Sequence, residues 1–320
     1  MSPRRSPGRR IAKSLLPIVS LVVLAVLCVV GYVVYNVTHP PRRAYLVTPE
    51  RFLQLSSERG VKATEETWTN RDGTQTRGWL LRGAEGQPAV IMLHRYGADR
   101  SWLLNLGIKI NETTSYTVLW PDLRGHGLNP PVSWTSFGSR EGEDVTAALD
   151  HLRTLKTPQG HQLIGERAGL YGVEMGAYAA MLAASRDAKV QALVLDSVPA
   201  STDDILRSAV RERVGVDNGL LQMLTRLGTG IYFLGRYDNT PACNVVSTLG
   251  NRRVLLLTGE DAPEPLRAST IQLAHCFPRE TTVEVKSDLP LTGFNLPSAT
   301  GEQGELYDRR VIDFFDKALR

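Results

Sequence analysis

Apolar and polar positions alternate along this chain with two different periods. Short apolar runs at Ala89–His94, Tyr116–Asp122, Ala168–Gly172, Val190–Ser197 and Arg253–Gly259 predict strands buried on both faces, and Thr281–Lys286 predicts the last strand. Glu66–Asn70 and Gln75–Arg82 flank Asp72-Gly73 and read as a hairpin. Between the runs, Val145–Leu155 has helical spacing. Gly304–Leu319 closes the chain as an amphipathic helix, with Leu306, Val311, Phe314, Phe315 and Leu319 expected on its core face. Strands alternating with helices predict an α/β fold: a mostly parallel central sheet with helices on both faces. Ligands of such sheets bind beyond the carboxyl ends of the strands.

The N-terminus follows a different pattern. From Leu15 to Val37 the chain is apolar, and no charged residue occurs between Lys13 and Arg42. As a helix this stretch is ~34 Å long, enough to cross a ~30 Å hydrocarbon layer. A cleaved secretory signal would have a shorter apolar region and a small-x-small cleavage site, and no good site is present. A single transmembrane helix over residues 14–37 is expected. Arg4, Arg5, Arg9, Arg10 and Lys13 precede it, and only Arg42 and Arg43 follow closely, which places residues 1–13 in the cytoplasm and the body outside. A juxtamembrane spacer over 38–60 and a folded domain over 61–320 complete the expected organisation.

Charge changes the picture once this tail is set apart. The sequence pI is near 9.0, yet residues 1–43 hold seven Lys/Arg and no Asp/Glu. A whole-chain charge of +4 therefore leaves −3 for the rest. A mildly acidic body gives no reason to expect a nucleic-acid partner. The bilayer is the expected partner of residues 14–37. Of three cysteines, Cys28 lies in the span. Cys243 and Cys276 flank a predicted strand and its helix, where either a disulfide or two buried thiols would fit.

One motif carries most of the chemistry. "LYGVEMGAYAA" (Leu170–Ala180) has the layout of a nucleophile elbow, G-x-S-x-G, in which a strained strand-to-helix turn presents a serine. Here the central residue is Glu174. With "RDGTQTRGWLL", "AVIMLHRYGADR", "PDLRGHG", "VLLLTGEDAPEP" and "LYDRRVIDFF" in the same order, the chain resembles the α/β-hydrolase superfamily, in particular its membrane-anchored esterase- and serine-peptidase-like branch, over roughly residues 50–320.

The resemblance implies a serine nucleophile, a histidine base, an orienting acid and an oxyanion loop. Glu174 stands at the nucleophile position. The acid position, three residues after Gly259, holds Ala262, with Asp261 one residue early. The histidine position falls near Thr292–Phe294, here represented by Phe294, and no histidine follows His275, which is read as a helix-end residue. The oxyanion loop reads His94-Arg95-Tyr96-Gly97, with a bulky cation at the second position, and His126 of "DLRGHG" is read as a loop-shaping residue. The resemblance also implies a cap insertion at about residues 200–242.

These departures predict a protein without serine-hydrolase turnover that binds a small apolar ligand or a protein partner outside the cytoplasmic membrane. The alternative is an esterase, lipase or peptidase-like hydrolase with an unconventional site around Glu174. Arg95, Tyr96, Glu174 and Met175 are the candidate pocket residues. Glu174 and Arg95 are expected to form a partly buried ion pair that plugs the pocket. No metal-ligand spacing or phosphate loop is present, so no metal or cofactor is expected.

Overall fold

The computed structural model describes residues 7–42, 44–58, 62–298 and 301–320. Arg4, Arg5, Arg43 and the end of the expected spacer, 59–60, lie outside the described residues. The chain divides into two compact units, one holding the N-terminal residues to Val37 with Arg207–Tyr237, the other holding Thr38–Leu206 with Asp238–Arg320.

The larger unit is built on eight strands: β1 (Ala63–Thr69), β2 (Gln75–Leu81), β3 (Gln87–Leu93), β4 (Thr117–Pro121), β5 (Ile164–Val173), β6 (Val190–Asp196), β7 (Arg253–Leu257) and β8 (Thr282–Lys286). Their order in the sheet is β1-β2-β4-β3-β5-β6-β7-β8. The β1–β2 and β2–β4 pairs are antiparallel, and every later pair is parallel. The helices in chain order are α1 (Pro7–Thr38), α2 (Pro49–Glu58), α3 (Leu104–Thr114), α4 (Glu141–Thr154), α5 (Met175–Arg186), α6 (Thr202–Val214), α7 (Gly219–Tyr232), α8 (Ala242–Val246), α9 (Glu264–Leu273) and α10 (Gly301–Leu319). The central strands β3, β5 and β6 are the apolar runs of the sequence, and Ile91, Leu170 and Leu193 have no exposed surface.

Three expectations need correction. Residues 38–60 are not a plain spacer: they contain α2, and Phe52 stacks on Trp79 with ring centroids 4.6 Å apart. Burying this aromatic surface outweighs the Pro-containing, polar look of the segment. Leu306 is exposed, while its neighbour Tyr307 is wholly buried. The α10 core stripe runs Tyr307, Val311, Phe314 and Phe315, because Tyr307 has a polar partner inside that a leucine cannot use. Helix α10 also begins three residues earlier than its periodicity predicts, at Gly301.

Helix α3 shows why a helix can hide from sequence reasoning. Gly107 stands inside it, in the first turn, where glycine costs ~1 kcal/mol relative to alanine. A Cβ there would lie 2.3 Å from the Trp120 indole. The glycine admits a fully buried tryptophan whose Nε1 donates to Leu103 O at 3.1 Å. Away from this contact, Cys243 and Cys276 are joined as a disulfide with Cα atoms 5.2 Å apart, tying α8 to the turn after α9.

In the smaller unit, Leu15–Thr38 is long and apolar enough to cross a membrane, and 11% of its most apolar stretch is buried. A core helix would be mostly covered.

Two outcomes follow for stability. Gly107→Ala should destabilise the larger unit by ~1–3 kcal/mol despite the better helix former, read as a lower midpoint in chemical denaturation. Replacing both Cys243 and Cys276 by serine should cost about 3–4 kcal/mol by the loop-entropy account, read the same way.

Candidate functional site

The site is assembled at the carboxyl ends of β3, β5 and β6. Strand β5 ends at Val173, α5 begins at Met175, and Glu174 between them has φ 48° and ψ −106°. A non-glycine residue there is strained and persists only where its surroundings fix it. Two glycines do the fixing. A Cβ on Gly176 would lie 2.2 Å from the Leu93 carbonyl oxygen, and one on Gly172 would lie 2.4 Å from Gly176. The first turn of α5 is thus pressed onto the end of β3. The Glu174 N–H donates to Asp196 O at 2.9 Å, and its carbonyl accepts from Tyr178 N–H at 3.0 Å.

The Glu174 side chain is 4% exposed. Its Oε2 accepts a hydrogen bond from the Tyr96 backbone N–H at 3.1 Å. The donor comes from the loop after β3, so the two loops that face each other across the strand ends are joined by this bond. Met175, next to Glu174, is buried, and its sulfur accepts from Thr135 Oγ1 at 3.5 Å.

Arg95 does not meet Glu174. Its guanidinium lies over the Trp102 ring at 4.8 Å and over the Phe294 ring at 5.0 Å, while Nη1 donates to Tyr96 O at 2.9 Å. The expected ion pair is therefore absent. A delocalised, weakly hydrated cation gains from two aromatic faces, while its Nε is buried there without a hydrogen-bond partner.

Two histidines lie under the loop, and both have their lone pairs in use. His94 Nε2 accepts from Leu123 N–H at 3.0 Å, leaving Nδ1 to donate to Arg95 O at 2.8 Å. His126 Nε2 accepts from Gly97 N–H at 3.1 Å, and Nδ1 donates to Arg124 O at 2.9 Å. Burial pushes the His94 pKa down to about 4, with the Arg95 charge adding to the effect, and burial beside His94 pushes the His126 pKa down as well. Neither imidazole is placed to take a proton from a substrate.

Beside Glu174, at the end of β6, Asp196 is fully buried. Its carboxylate accepts from Gly293 N–H at 2.8 Å, from Ser197 Oγ at 2.6 Å and from the Tyr307 hydroxyl. Tyr307 is also hydrogen-bonded to the Tyr171 hydroxyl at 2.7 Å. Burial raises the Asp196 carboxyl to about 6, against the pull of these donors. Asp261 is exposed and accepts from Asn295 Nδ2, and Ala262 lies in the turn after β7, where its N–H donates to Gly259 O at 3.2 Å.

Solved structures of this overall fold match most of the chain. The esterase Pf2001 of Pyrococcus furiosus matches with 21% identity and a TM-score of 0.62, over 88% of this chain and 100% of that one. The α/β hydrolase GrgF of a Penicillium species matches at 18% and 0.56, over 81% of this chain and 99% of its own. A dienelactone hydrolase of Anabaena variabilis matches at 14% and 0.54, again over 81% and 99%. The chain has the α/β-hydrolase fold. No family model matches it, and no curated protein does.

In an α/β-hydrolase fold the elbow, the loop after β3 and the loop after β8 meet at the reacting carbonyl. Here they bring together Glu174, Tyr96 and the Thr292–Phe294 stretch. Asp261 borders this cluster through Asn295, next to Phe294, and its charge adds to the raised pKa of Asp196, while Ala262 stays in the turn after β7. Sequence reasoning missed three residues. Asp196 ends an apolar strand, as an acid in "VLDS", but only the β5–β6 pairing sets it beside Glu174. Trp102 and Tyr307 stand in no motif that marks them.

The buried imidazoles give a signed pH effect. In the unfolded chain His94 protonates near pH 6.5, in the folded one near pH 4. Between these values only the unfolded state carries the proton. The His94 contribution is complete above pH 6.5 and is lost as pH falls to about 4, by ~1.4 kcal/mol per pH unit. Denaturation of wild type and His94→Gln in parallel should show the gap between them closing over that window. A gap independent of pH would mean that His94 is charged in the folded state.

Proposed function

We propose that this chain is a membrane-anchored α/β-hydrolase-fold protein without serine-hydrolase turnover, whose work is to bind a ligand or partner outside the cytoplasmic membrane. The observation that carries this reading is the hydrogen bond from Tyr96 N–H to Glu174 Oε2. In an acyl-transfer site that N–H belongs to the developing oxyanion. Here the Glu174 side chain accepts it instead. The missing base reinforces the point, because both nearby imidazoles spend their lone pairs on backbone N–H groups. The apolar Leu15–Thr38 helix supports the anchor, and the basic residues before it support a cytoplasmic N-terminus.

A second reading keeps catalysis. The neighbours in fold are an esterase and hydrolases, and Glu174 has the strained φ of an attacking residue. A carboxylate can be a nucleophile. Its Oε2 is engaged in the loop, however, and the additional methylene of glutamate displaces the attacking atom by ~1 Å, enough to cost ~100-fold in rate.

The test uses the full chain in detergent, with short- and long-chain p-nitrophenyl esters and aminoacyl substrates. Wild type should match its heat-denatured control and take no label from a fluorophosphonate. Glu174→Ser should also stay silent, since a serine without a histidine is not activated. Turnover by wild type that Glu174→Gln abolishes would establish the second reading instead.

A further inference from the structure

The smaller unit carries an apolar surface that the anchor alone does not explain. Helix α7 packs on α1 closely: a Cβ on Gly228 would lie 2.9 Å from Val30 Cγ1 and 3.0 Å from Val34 Cγ2. Below this contact the two helices form a groove of about 300 Å³ lined almost wholly by apolar side chains, among them Ala25, Val26 and Val29 of α1 and Leu220, Leu221 and Leu224 of α7.

On its remaining side α7 exposes a stripe. Leu220, Met223, Leu227 and Ile231 recur at helical spacing and Leu234 follows just past the helix end, between 60% and 86% exposed. Gln222 and Arg226 fall off this stripe. The exposed residues of α1, such as Leu21, Leu24 and Leu27, continue the same kind of surface. Soluble monomers rarely expose a contiguous patch of this kind.

The contacts also set its depth. If the membrane begins just after Lys13, ~20 residues of helix reach the far side of a ~30 Å hydrocarbon layer near Val34. The α7 contacts, from Ala25 to Val34, occupy the second half of that crossing. Charge agrees with a lipid neighbour. Residues 207–237 hold five arginines against Glu212 and Asp217, while residues 44–320 as a whole are net acidic. At the turn before α7, Arg211 pairs with Asp217 at 2.7 Å, and the Asn218 side chain accepts from Leu220 and Leu221 N–H groups at 2.9 and 3.2 Å. Charges and helix-end amides in hydrocarbon are costly unless satisfied from within, and here they partner one another.

We propose that α7 is a second membrane element, whose exposed stripe and whose groove with α1 take phospholipid acyl chains in the leaflet that the C-terminal half of α1 crosses. Arg236, just past the C-terminal end of α7 and beyond the level of Val34, would meet anionic headgroups. This rests on the reading of α1 as a membrane span, and the experiment separates the two.

The full chain is reconstituted into phosphatidylcholine–phosphatidylglycerol vesicles with single environment-sensitive fluorophores on cysteine. Cys28 is free and reports α1, while Cys243 and Cys276 are bonded to each other and do not react. In a Cys28→Ser background, Leu227→Cys and Met223→Cys report α7, and Glu166→Cys, at an 87% exposed side chain, reports the aqueous surface. The proposal expects fluorescence at 28, 223 and 227 to be lost to doxyl-labelled phosphatidylcholine and shielded from iodide, with the reverse at 166. Iodide quenching at 223 and 227 with lipid quenching kept at 28 would overturn the proposal and leave the span standing. Shielding of 223 and 227 from both quenchers would overturn it in favour of a protein-covered face. Iodide quenching at 28 as well would remove the span and the proposal together.

Discussion

The elbow at Glu174 is the constraint on which the site depends. A residue with φ 48° between β5 and α5 is held there because Gly172 and Gly176 let α5 press against the end of β3. That geometry is indifferent to chemistry: it orients whatever side chain it carries toward the loop after β3. With glutamate in place, the buried carboxylate must find donors or protonate. Tyr96 N–H is within reach and is used. The same backbone therefore fixes a carboxylate against the loop after β3.

The other corners of the site are closed by similar local demands. Asp196 is buried at a strand end and must be paid for in hydrogen bonds, and Gly293 N–H, Ser197 and Tyr307 supply them. Through Gly293 this acid holds the loop after β8 at the strand ends. Arg95, excluded from Glu174, lies between Trp102 and Phe294 and brings the loop after β8 against the loop after β3. Three separate interactions thus converge on one set of strand ends.

The strands, the hairpin and the elbow were legible in the sequence because each is a local pattern: a short apolar run, a turn dipeptide, a glycine pair at fixed spacing. The mostly parallel sheet with helices on both faces followed from the resemblance and from the alternation of strand and helix. Helix α3 was not legible, since its glycine answers to Trp120 rather than to helix propensity. Nor was α2, whose Phe52 is explained only by Trp79 across the fold. At the site, the residue types at the expected positions could be read, but their partners could not. Arg95 had a carboxylate and two aromatic rings as candidate neighbours, and only the folded loops decide among them. Asp196 and Gly293 are 97 residues apart and meet through β-sheet pairing that no local pattern encodes.

The distribution of these contacts bears on what a single substitution can do. Placing serine at 174 would free Tyr96 N–H but bring no base. Placing histidine at 293 is barred by space, because a Cβ there would lie 2.4 Å from Val173 Cγ2 and 2.8 Å from the Tyr171 hydroxyl. Placing it at 294 would remove one of the two rings that hold Arg95. Each change relieves one closure and disturbs another, and effects of groups that act as a unit do not add. The arrangement of this site belongs to the packing of the strand ends as a whole, so the fold keeps its elbow whatever residue that elbow carries.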